Sequence, residues 1–312
     1  MHVGRVRVTL LHNPSAGHGR HTADELQEIA RALGYTVVAC SVEQPDWADA
    51  LADPGDIVAV AGGDGTVARI AASMIGNHVP LAVIPMGTAN NIATALGVRG
   101  TPREMMEAWA TAVPVGVDIG HAHDGERSHP FFECVGVGEF GRLMAQSQAI
   151  ERSDREEDRE RKLARDLVLL RDRVATSNGQ AVALDIDGVE YSGHYLVAEI
   201  LNVWSIGPRL GLAPSARIDD GRLHVVLVGP DHRAELVRYL ERLRDGEHEP
   251  PDLEVITASR VKVVCDVHDL HVDGELWKGR SPIVAPRERV ALDISLLRGA
   301  VRFLRPAQVP RQ

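Results

Sequence analysis

Residues 56–68 read DIVAVAGGDGTVA, and this stretch decides the fold of the first half of the chain. Its short apolar run ends at paired glycines, which predicts a buried strand that delivers its carboxyl end to a loop. The spacing that follows predicts a helix over Thr66 to Ile75. Residues 80–96, PLAVIPMGTANNIATAL, repeat the order of strand, turn and helix. Two consecutive units of this kind predict a parallel sheet with both loops on one edge.

The pattern of the chain changes near residue 114. Before it, a strand over Arg5 to His12 and another over Tyr35 to Cys40 flank a helical segment that stops at Gly34. After it, short alternating runs joined by DG, NG and GP pairs predict antiparallel strands. We therefore expect an α/β domain with a parallel sheet and flanking helices over residues 1–114, then a mostly antiparallel, β-sandwich-like domain over residues 115–312. A return of the extreme C-terminus to the first domain is compatible with this division.

The composition narrows the class of protein. At about 150 residues per domain, the 312 residues suggest two domains. The 34 basic and 44 acidic residues leave a formal net charge of −10 at pH 7, which disfavours nucleic-acid binding. Cys40, Cys134 and Cys265 are an odd number without a CxxC pair, which favours a reducing cytoplasm over a disulfide framework. No stretch matches a signal peptide or a membrane span.

The glycine-rich loop GGDGT predicts a phosphate cradle. Gly62, Gly63 and Gly65 allow the backbone to approach a bulky anion, so that amide N–H groups and the helix end at Thr66 face phosphates. The carboxylate of Asp64 is badly placed against phosphate unless it binds Mg²⁺ or accepts a proton from an attacking hydroxyl. The competing interpretation is an ordinary glycine-rich turn in which the aspartate caps a helix.

Two further loops support the nucleotide interpretation. In the second unit, Gly87, Thr88 and Asn90 place a hydroxyl and an amide at a strand end, where they could hold an adenine, a ribose or a phosphate. After the first strand, a turn of small residues supplies a third loop with Asn13, Pro14 and Gly17. Three such loops on one sheet edge predict a nucleotide-binding crevice.

The motifs resemble the diacylglycerol kinase catalytic-domain family of lipid kinases, which includes soluble bacterial diacylglycerol and phosphatidylglycerol kinases and the sphingosine kinases. A loop like GGDGT also occurs in NAD kinases and phosphofructokinases, whereas GTAN with a downstream DGE is far more specific to the lipid kinases. The motifs fall in family order over about residues 5 to 280: NPSAGHG at Asn13, GGDGT at Gly62, PMGTANNIA at Pro85, APSARIDDG at Ala213 and HVDGE at His271.

The resemblance implies an ATP-dependent enzyme that uses Mg²⁺ and phosphorylates a hydroxyl of diacylglycerol or a related long-chain lipid. Such an enzyme is cytoplasmic and associates peripherally with the membrane surface that holds its lipid substrate; a homodimer is compatible with it. The family's acid in the DGE segment maps onto Asp273, with Glu275 beside it, and a structural Mg²⁺ ligand maps onto Asp220. Asp64 is the other carboxylate expected to bind Mg²⁺.

The spacing of the residues does not decide which carboxylate is the general base. Strand alternation would aim Asp269, His271, Asp273 and Glu275 to one side if the strand continues, but Asp273 and Gly274 could equally begin a hairpin turn. Asp273 is the first choice for the base because it comes from the second domain, where the acceptor is expected. Asp64 is the alternative, with Asp273 and Glu275 then acting electrostatically.

Two other functions remain as alternatives. An NAD kinase shares GGDGT, although GTANN, APSARIDDG and HVDGE disfavour it. A non-catalytic nucleotide- or lipid-binding regulator is favoured by Asn91, because the family commonly has a carboxylate at this position. The GVGEFG segment at residues 136–141 matches a dinucleotide fingerprint only weakly. The charged helical run from Glu151 to Val174 predicts either a solvated helix or a membrane-contact helix.

Overall fold

A computed structural model describes residues 5–19, 21–153, 159–207, 210–277 and 288–307. The chain forms two compact units. The first takes in the chain up to Ile119 and again from Arg298 onward, and the second spans Gly120–Leu297.

The first unit is an α/β fold. Its elements are β1 (Arg7–His12), α1 (Ala23–Ala32), β2 (Thr36–Ser41), β3 (Ile57–Gly62), α2 (Asp64–Ser73), β4 (Leu81–Pro85), α3 (Asn91–Ala95), α4 (Pro102–Ala108) and the first part of β5 (Val113–His123). β1 pairs in parallel with both β2 and β3, and β3 pairs in parallel with β4. All six residues of β3 are buried, as expected of a strand covered on both faces.

The strand order β2-β1-β3-β4 determines where a ligand can bind. The chain leaves β1 toward β2 on one side and leaves β3 toward β4 on the other. The carboxyl ends of β1 and β3 therefore flank a topological switch point, which is where open α/β sheets bind ligands. The loops that begin at Asn13 and Gly63 leave from these two ends.

The second unit is a mostly antiparallel sandwich. After the remainder of β5, its elements are β6 (Ser128–Phe131), β7 (Cys134–Gly138), α5 (Glu139–Ser153), α6 (Arg159–Thr176), β8 (Gln180–Ile186), β9 (Val189–Glu190), β10 (Gly193–Tyr195), β11 (Val197–Leu201), β12 (Leu223–Val228), α7 (Arg233–Arg244), β13 (Val255–Ala258), β14 (Arg260–Asp266), β15 (Leu270–Val272), β16 (Glu275–Leu276) and β17 (Arg289–Arg305). The last residues of β17 belong to the first unit.

Two sheets enclose the core of this unit. One has the order β13-β12-β11-β7-β15-β16, with antiparallel neighbours, and the other runs β10-β8-β14 into the start of β17. Side chains from both sheets share one apolar cluster, in which Val135 and Ile200 of the first sheet meet Leu184 and Val263 of the second. Alternating inward-facing residues of two sheets are what build a sandwich core. The predicted fold class is therefore confirmed.

The division between the units differs from the one predicted at residue 114. β5 continues without interruption from Val113 to His123, so the boundary after Ile119 falls inside a strand. Residues 298–307 belong to the first unit, which is the return of the C-terminus that the predicted division allowed. There Phe303 pairs in parallel with Leu81 of β4 and is fully buried. The composition of the chain does not mark this return because the strand carries no turn signal at the boundary.

The apolar face of the predicted helix over Glu151–Val174 is buried. The structure has two helices here, α5 and α6, and residues 154–158 lie outside the described chain. Leu167, Leu170 and Val174 are at most 4% exposed, and α6 packs against α5 and α7. A membrane contact through this helix would therefore have to use its charged outer face. Among the described residues, no helix is long and apolar enough to cross a membrane.

Candidate functional site

The GGDGT motif forms a tight turn between a strand and a helix. Gly62 ends β3, Gly63 is the N-cap of α2 with extended backbone, and Asp64 is already the first helical residue. No side-chain oxygen caps this helix at Gly63. The N-terminus of α2 therefore begins directly at the sheet edge, in the arrangement that binds anions at helix ends.

Gly63 and Gly87 bring the loop after β3 and the loop after β4 into direct contact. A Cβ at Gly87 would come within 2.6 Å of Gly63 Cα, and a Cβ at Gly62 within 2.7 Å of Thr66 Cβ. Met86 N also donates to Gly62 O at 2.8 Å. A side chain at Gly87 would force the two loops apart, and one at Gly62 would displace Thr66, because real Cβ atoms do not approach so closely.

The loop after β1 is held at the same sheet edge. Asn13 follows β1 directly, and its Nδ2 donates to Thr66 Oγ1 at 2.8 Å. Gly17 has a φ of +65° and lies against Met86, whose carbonyl oxygen would be 2.9 Å from a Cβ at this position. The predicted nucleotide residues of the three loops thus converge within the first unit.

Three predicted residues of these loops are exposed. Gly65 and Thr88 are exposed, and a Cβ at Gly65 would meet nothing within 4 Å. Pro14 is exposed as well. Asn90 instead closes its own turn: its Oδ1 accepts from Gly87 N at 2.8 Å and its Nδ2 donates to Gly87 O at 3.0 Å. Its φ of 54° is the left-handed conformation that asparagine tolerates best among non-glycine residues.

Asp64 links α2 to α3. Asn90 precedes α3 but makes no side-chain cap, and Asp64 Oδ1 accepts from Ile92 N at 3.0 Å instead. Burial raises the pKa of Asp64, while backbone N–H groups of Ile92, Asn91 and Asn90 lower it. The aspartate therefore caps a helix, but that helix is α3 rather than its own. Its carboxylate oxygens are of the hard type that Mg²⁺ prefers.

In the second unit, Asp273 occupies the tip of a hairpin. β15 and β16 are joined by Asp273 and Gly274, which have φ values of 46° and 79°. Two successive positive φ values define the type I′ turn that DG pairs favour. The turn breaks the strand alternation, so the one-sided array of Asp269, His271, Asp273 and Glu275 does not form.

Three consecutive backbone N–H groups hold the Asp273 carboxylate. Its Oδ2 accepts from Phe132 N at 2.6 Å, and its Oδ1 accepts from Glu133 N at 2.7 Å and Cys134 N at 3.0 Å. Burial raises the pKa of Asp273 to about 6, although these donors and His271 act to lower it. One acceptor position remains on Oδ2 by this count, which is what a general base requires.

The other two carboxylates of the predicted site differ in their surroundings. Glu275 lies at the start of β16 and is exposed. Asp220 holds its own turn: its Oδ1 accepts from Arg222 N at 2.9 Å and its Oδ2 from Arg217 N at 3.1 Å. His224 Nε2 lies 2.9 Å from the same Oδ2. The carboxylate oxygens of Asp220 are of the hard type that Mg²⁺ prefers.

Glu199 is a buried polar residue that was not among those predicted from the sequence. This residue lies in the middle of β11, is fully buried, and its Oε1 is 2.9 Å from Nε2 of the fully buried His271. The signal was a lone glutamate in the otherwise apolar run LVAEIL. The weak dinucleotide match at residues 136–141 has its explanation here, because a side chain at Gly136 would overlap Glu199 and His271.

Comparison with known proteins gives the same order of domains. Residues 7–122 match the model of the diacylglycerol kinase catalytic domain, and residues 145–296 match that of the YegS C-terminal NAD kinase beta sandwich-like domain. A diacylglycerol kinase of Mycobacterium tuberculosis is 27% identical over 96% of this chain and 95% of its own length. A probable YegS-like lipid kinase of Stenotrophomonas maltophilia is 26% identical over 84% of this chain and 83% of its own length.

A solved structure supports the fold. The crystal structure of a putative diacylglycerol kinase from Bacillus anthracis superposes with a TM-score of 0.69 at 19% sequence identity, and covers 97% of this chain and 98% of its own. At this identity the likeness shows the fold alone. The two family matches, taken with the order of the motifs, show that the chain belongs to the diacylglycerol kinase catalytic-domain family and is a kinase.

Proposed function

We propose that this protein is an ATP- and Mg²⁺-dependent lipid kinase that phosphorylates a hydroxyl of diacylglycerol or a related long-chain lipid. The observation that carries the proposal is the convergence of three loops at the switch point of the first sheet, joined by the bond from Asn13 to Thr66. The relatives named diacylglycerol kinase and lipid kinase support the class of substrate.

The nucleotide is assigned to the first unit. The exposed Gly65 leaves open space beside the N-terminus of α2, where the triphosphate can approach the backbone. Thr88 is exposed on the neighbouring loop and offers a hydroxyl. The close contact of Gly63 with Gly87 keeps both loops fixed, so little ordering entropy is lost when the nucleotide binds.

Asp273 is the proposed general base. Phosphoryl transfer requires that the lipid hydroxyl lose its proton as its oxygen attacks the γ-phosphorus. A base is most effective when its pKa is close to the working pH, and burial brings the pKa of Asp273 to about 6. Asp64 remains the alternative base. Because it caps α3 through Ile92 N, its removal affects the nucleotide loops as well as any proton transfer.

Asp64, in the first unit, is proposed to bind the Mg²⁺ that accompanies the nucleotide, and Asp220, in the second unit, is proposed to bind a structural Mg²⁺. Both are carboxylates, the type of ligand that Mg²⁺ prefers. When bound, Mg²⁺ neutralises phosphate oxygens. Glu275 is exposed and is assigned an electrostatic role at the same hairpin as Asp273. The lipid is proposed to be reached at a membrane surface, with the enzyme peripherally attached during turnover.

Transfer of labelled γ-phosphate from ATP to diacylglycerol, phosphatidylglycerol, sphingosine and ceramide micelles tests this proposal, with NAD as one further acceptor. We expect a labelled lipid, and a loss of about 10²-fold or more in turnover for Asp273→Asn. Label on NAD alone would establish the NAD kinase alternative. Binding of ATP with no labelled product would establish the regulator alternative.

A matched control separates the chemistry of Asp273 from the geometry of its turn. Asp187 also precedes a glycine in a hairpin and has a φ of 49°. Its carboxylate accepts from Ser259 N at 3.0 Å and from Arg260 N at 2.9 Å. Asp187→Asn therefore disturbs a similar turn without touching the proposed base, and we expect it to keep turnover within about two-fold of the wild type.

A further inference from the structure

A buried cluster of three ligand-type side chains lies in the second unit, and the proposed kinase reaction does not use it. Glu199 on β11 and His271 on β15 both pair with Gly136 of the intervening strand β7, one from each side. Side chains of directly paired residues stand on the same face of a sheet. Glu199 and His271 therefore meet above Gly136, with Oε1 and Nε2 2.9 Å apart.

Gly136 makes room for this meeting. A Cβ at this position would overlap both carboxylate oxygens of Glu199 and Nε2 of His271. Cys134 lies two residues earlier on the same strand, so its side chain is on the same face. The sulfur of Cys134, a carboxylate oxygen of Glu199 and a ring nitrogen of His271 all lie within 4.8 Å of one another.

The cluster is closed from solvent and incompletely bonded. Cys134 is 1% exposed, and Glu199 and His271 are 0% exposed. Among the described residues, Glu199 Oε2 and His271 Nδ1 have no hydrogen-bond partner. The ring of Phe140, on α5, covers the imidazole at a centroid distance of 5.0 Å. A buried carboxylate oxygen without a donor is unfavourable, and a cation beside it would remove that cost.

We propose that Cys134, Glu199 and His271 bind one structural divalent metal ion of the zinc class. With both carboxylate oxygens of Glu199, the donors are one sulfur, one nitrogen and two oxygens, which gives the four-coordinate set that a structural Zn²⁺ requires and that Mg²⁺ and Ca²⁺ do not favour. A thiolate and a carboxylate together balance two positive charges when the imidazole is neutral. The Cys134 thiol releases one proton as its sulfur binds the ion.

The ion would stabilise the hairpin that carries Asp273. Its ligands come from β7, β11 and β15, three adjacent strands of one sheet. His271 lies two residues before Asp273, and two hydrogen bonds join Cys134 to Asp273: Asp273 N donates to the backbone carbonyl of Cys134 at 3.0 Å, and Cys134 N donates to the side-chain Oδ1 of Asp273 at 3.0 Å. Only this consequence for catalysis rests on the proposed kinase function; the metal site itself does not.

The test measures metal content in the full chain without an affinity tag, expressed in zinc-supplemented medium and dialysed against EDTA. We expect about one zinc per chain, because a closed site exchanges slowly with the chelator. Cys134→Ala and Glu199→Gln should each retain less than about a tenth of this amount. Cys265→Ala is the matched control: Cys265 is equally buried, lies on β14 and should leave the zinc content unchanged.

Cobalt supplies an independent readout. Protein from cells grown with Co²⁺ should show a near-ultraviolet thiolate-to-cobalt absorption band, present in Cys265→Ala and absent from Cys134→Ala. If the wild-type protein contains no metal after expression in zinc-supplemented medium, the proposal is wrong, even if every variant fails to fold. Zinc that is lost in EDTA, or that is equal in all variants, identifies an adventitious ion only and overturns it as well. Neither result bears on the kinase assay.

Discussion

At Asp273, burial and hydrogen bonding act on one carboxylate in opposite directions. Burial raises its pKa to about 6, so the group is protonated in mild acid and ionised at neutral pH. A general base must be ionised to accept a proton. We therefore expect turnover to rise with pH through about 6, with the slope of a single ionisation. A pH profile of kcat from 4.5 to 8 checks this, and a flat profile across that range would assign the base elsewhere.

The same ionisation affects stability. The pKa of Asp273 is 3.8 when unperturbed and about 6 in the folded chain. Between these values the folded state holds a proton that the unfolded state has released, so the free energy of unfolding decreases as pH rises through this window. Other carboxylates, such as Asp293, have lowered pKa values and act in the opposite direction, so the test compares the wild type with Asp273→Asn, which cannot ionise at this position. Between pH 4 and pH 6.5, urea unfolding should show that the wild type loses more stability, or gains less, than the variant.

A substitution at Gly65 can test nucleotide binding without disturbing the fold. Gly65 lies in the first turn of α2, is exposed, and a Cβ there would meet nothing within 4 Å. Gly65→Ala should leave the melting temperature unchanged or raise it, because alanine is favoured over glycine in a helix by about 0.5–1 kcal/mol. If phosphate approaches this backbone, affinity for an ATP analogue should fall about ten-fold or more in calorimetry.

The control for this variant is Gly87→Ala. Its new Cβ would come within 2.6 Å of Gly63 Cα, so we expect a clear loss of thermal stability in addition to any loss of binding. An unchanged ATP affinity in Gly65→Ala would place the triphosphate away from the N-terminus of α2.

Among the elements, α3 depends on a residue from another helix. α3 has five residues, and its own N-cap residue Asn90 makes no side-chain cap. Asp64 Oδ1 accepts from Ile92 N instead. Asp64→Ala removes that acceptor and should cost about 0.5–2 kcal/mol of unfolding free energy. Hydrogen exchange over Asn91–Ala95 should be faster in this variant.

Asp64→Asn distinguishes the cap from the charge. Asparagine keeps an oxygen acceptor for Ile92 N but carries no charge, so we expect stability close to the wild type and a loss of kinase turnover. Equal destabilisation by alanine and asparagine would mean that the charge, and not the acceptor, holds α3.

The strand–loop–helix units were predictable because their signals are local. A buried apolar run that ends in glycine and a helix with periodic residues each occupy about ten neighbouring positions. The contacts between these units are not local: Asn13 meets Thr66, and Asp64 meets Ile92, through pairings that periodicity does not encode. The hairpin at Asp273 could not be predicted with certainty for a related reason: a DG pair fits both a turn and a continued catalytic strand.

Glu199 is a clearer example of a contact that the sequence alone does not predict. Its partner His271 lies 72 residues away on a strand that is not its neighbour in the sheet, and only the register across Gly136 brings the two side chains together. A single glutamate in an apolar strand indicates that a buried partner exists. It does not identify the partner, because register is fixed by the packing of the whole sheet.

At the scale of the whole molecule, the first unit is built from two separate parts of the chain. β17 is a 17-residue strand whose C-terminal residues complete this unit. Val301, Phe303 and Leu304 are 1%, 0% and 7% exposed. A chain that stops at Ile119 lacks these side chains, and losing one buried phenylalanine alone costs about 3–5 kcal/mol. Such a loss is comparable to the total stability of a small domain, about 5–15 kcal/mol.

We therefore expect residues 5–119 alone to show no cooperative thermal unfolding. A fusion of residues 5–119 to residues 298–307 should unfold cooperatively. Gly299 N donates to Asp118 Oδ1 at 2.7 Å, so a short glycine–serine linker can join the two ends. Within the fusion, Phe303→Ala should abolish the cooperative transition, whereas replacement of the exposed Arg302 by alanine should not. Because all three nucleotide loops lie in this unit, the fusion should also bind an ATP analogue. Cooperative unfolding of residues 5–119 without the added strand would show that the first unit is complete before the chain returns to it.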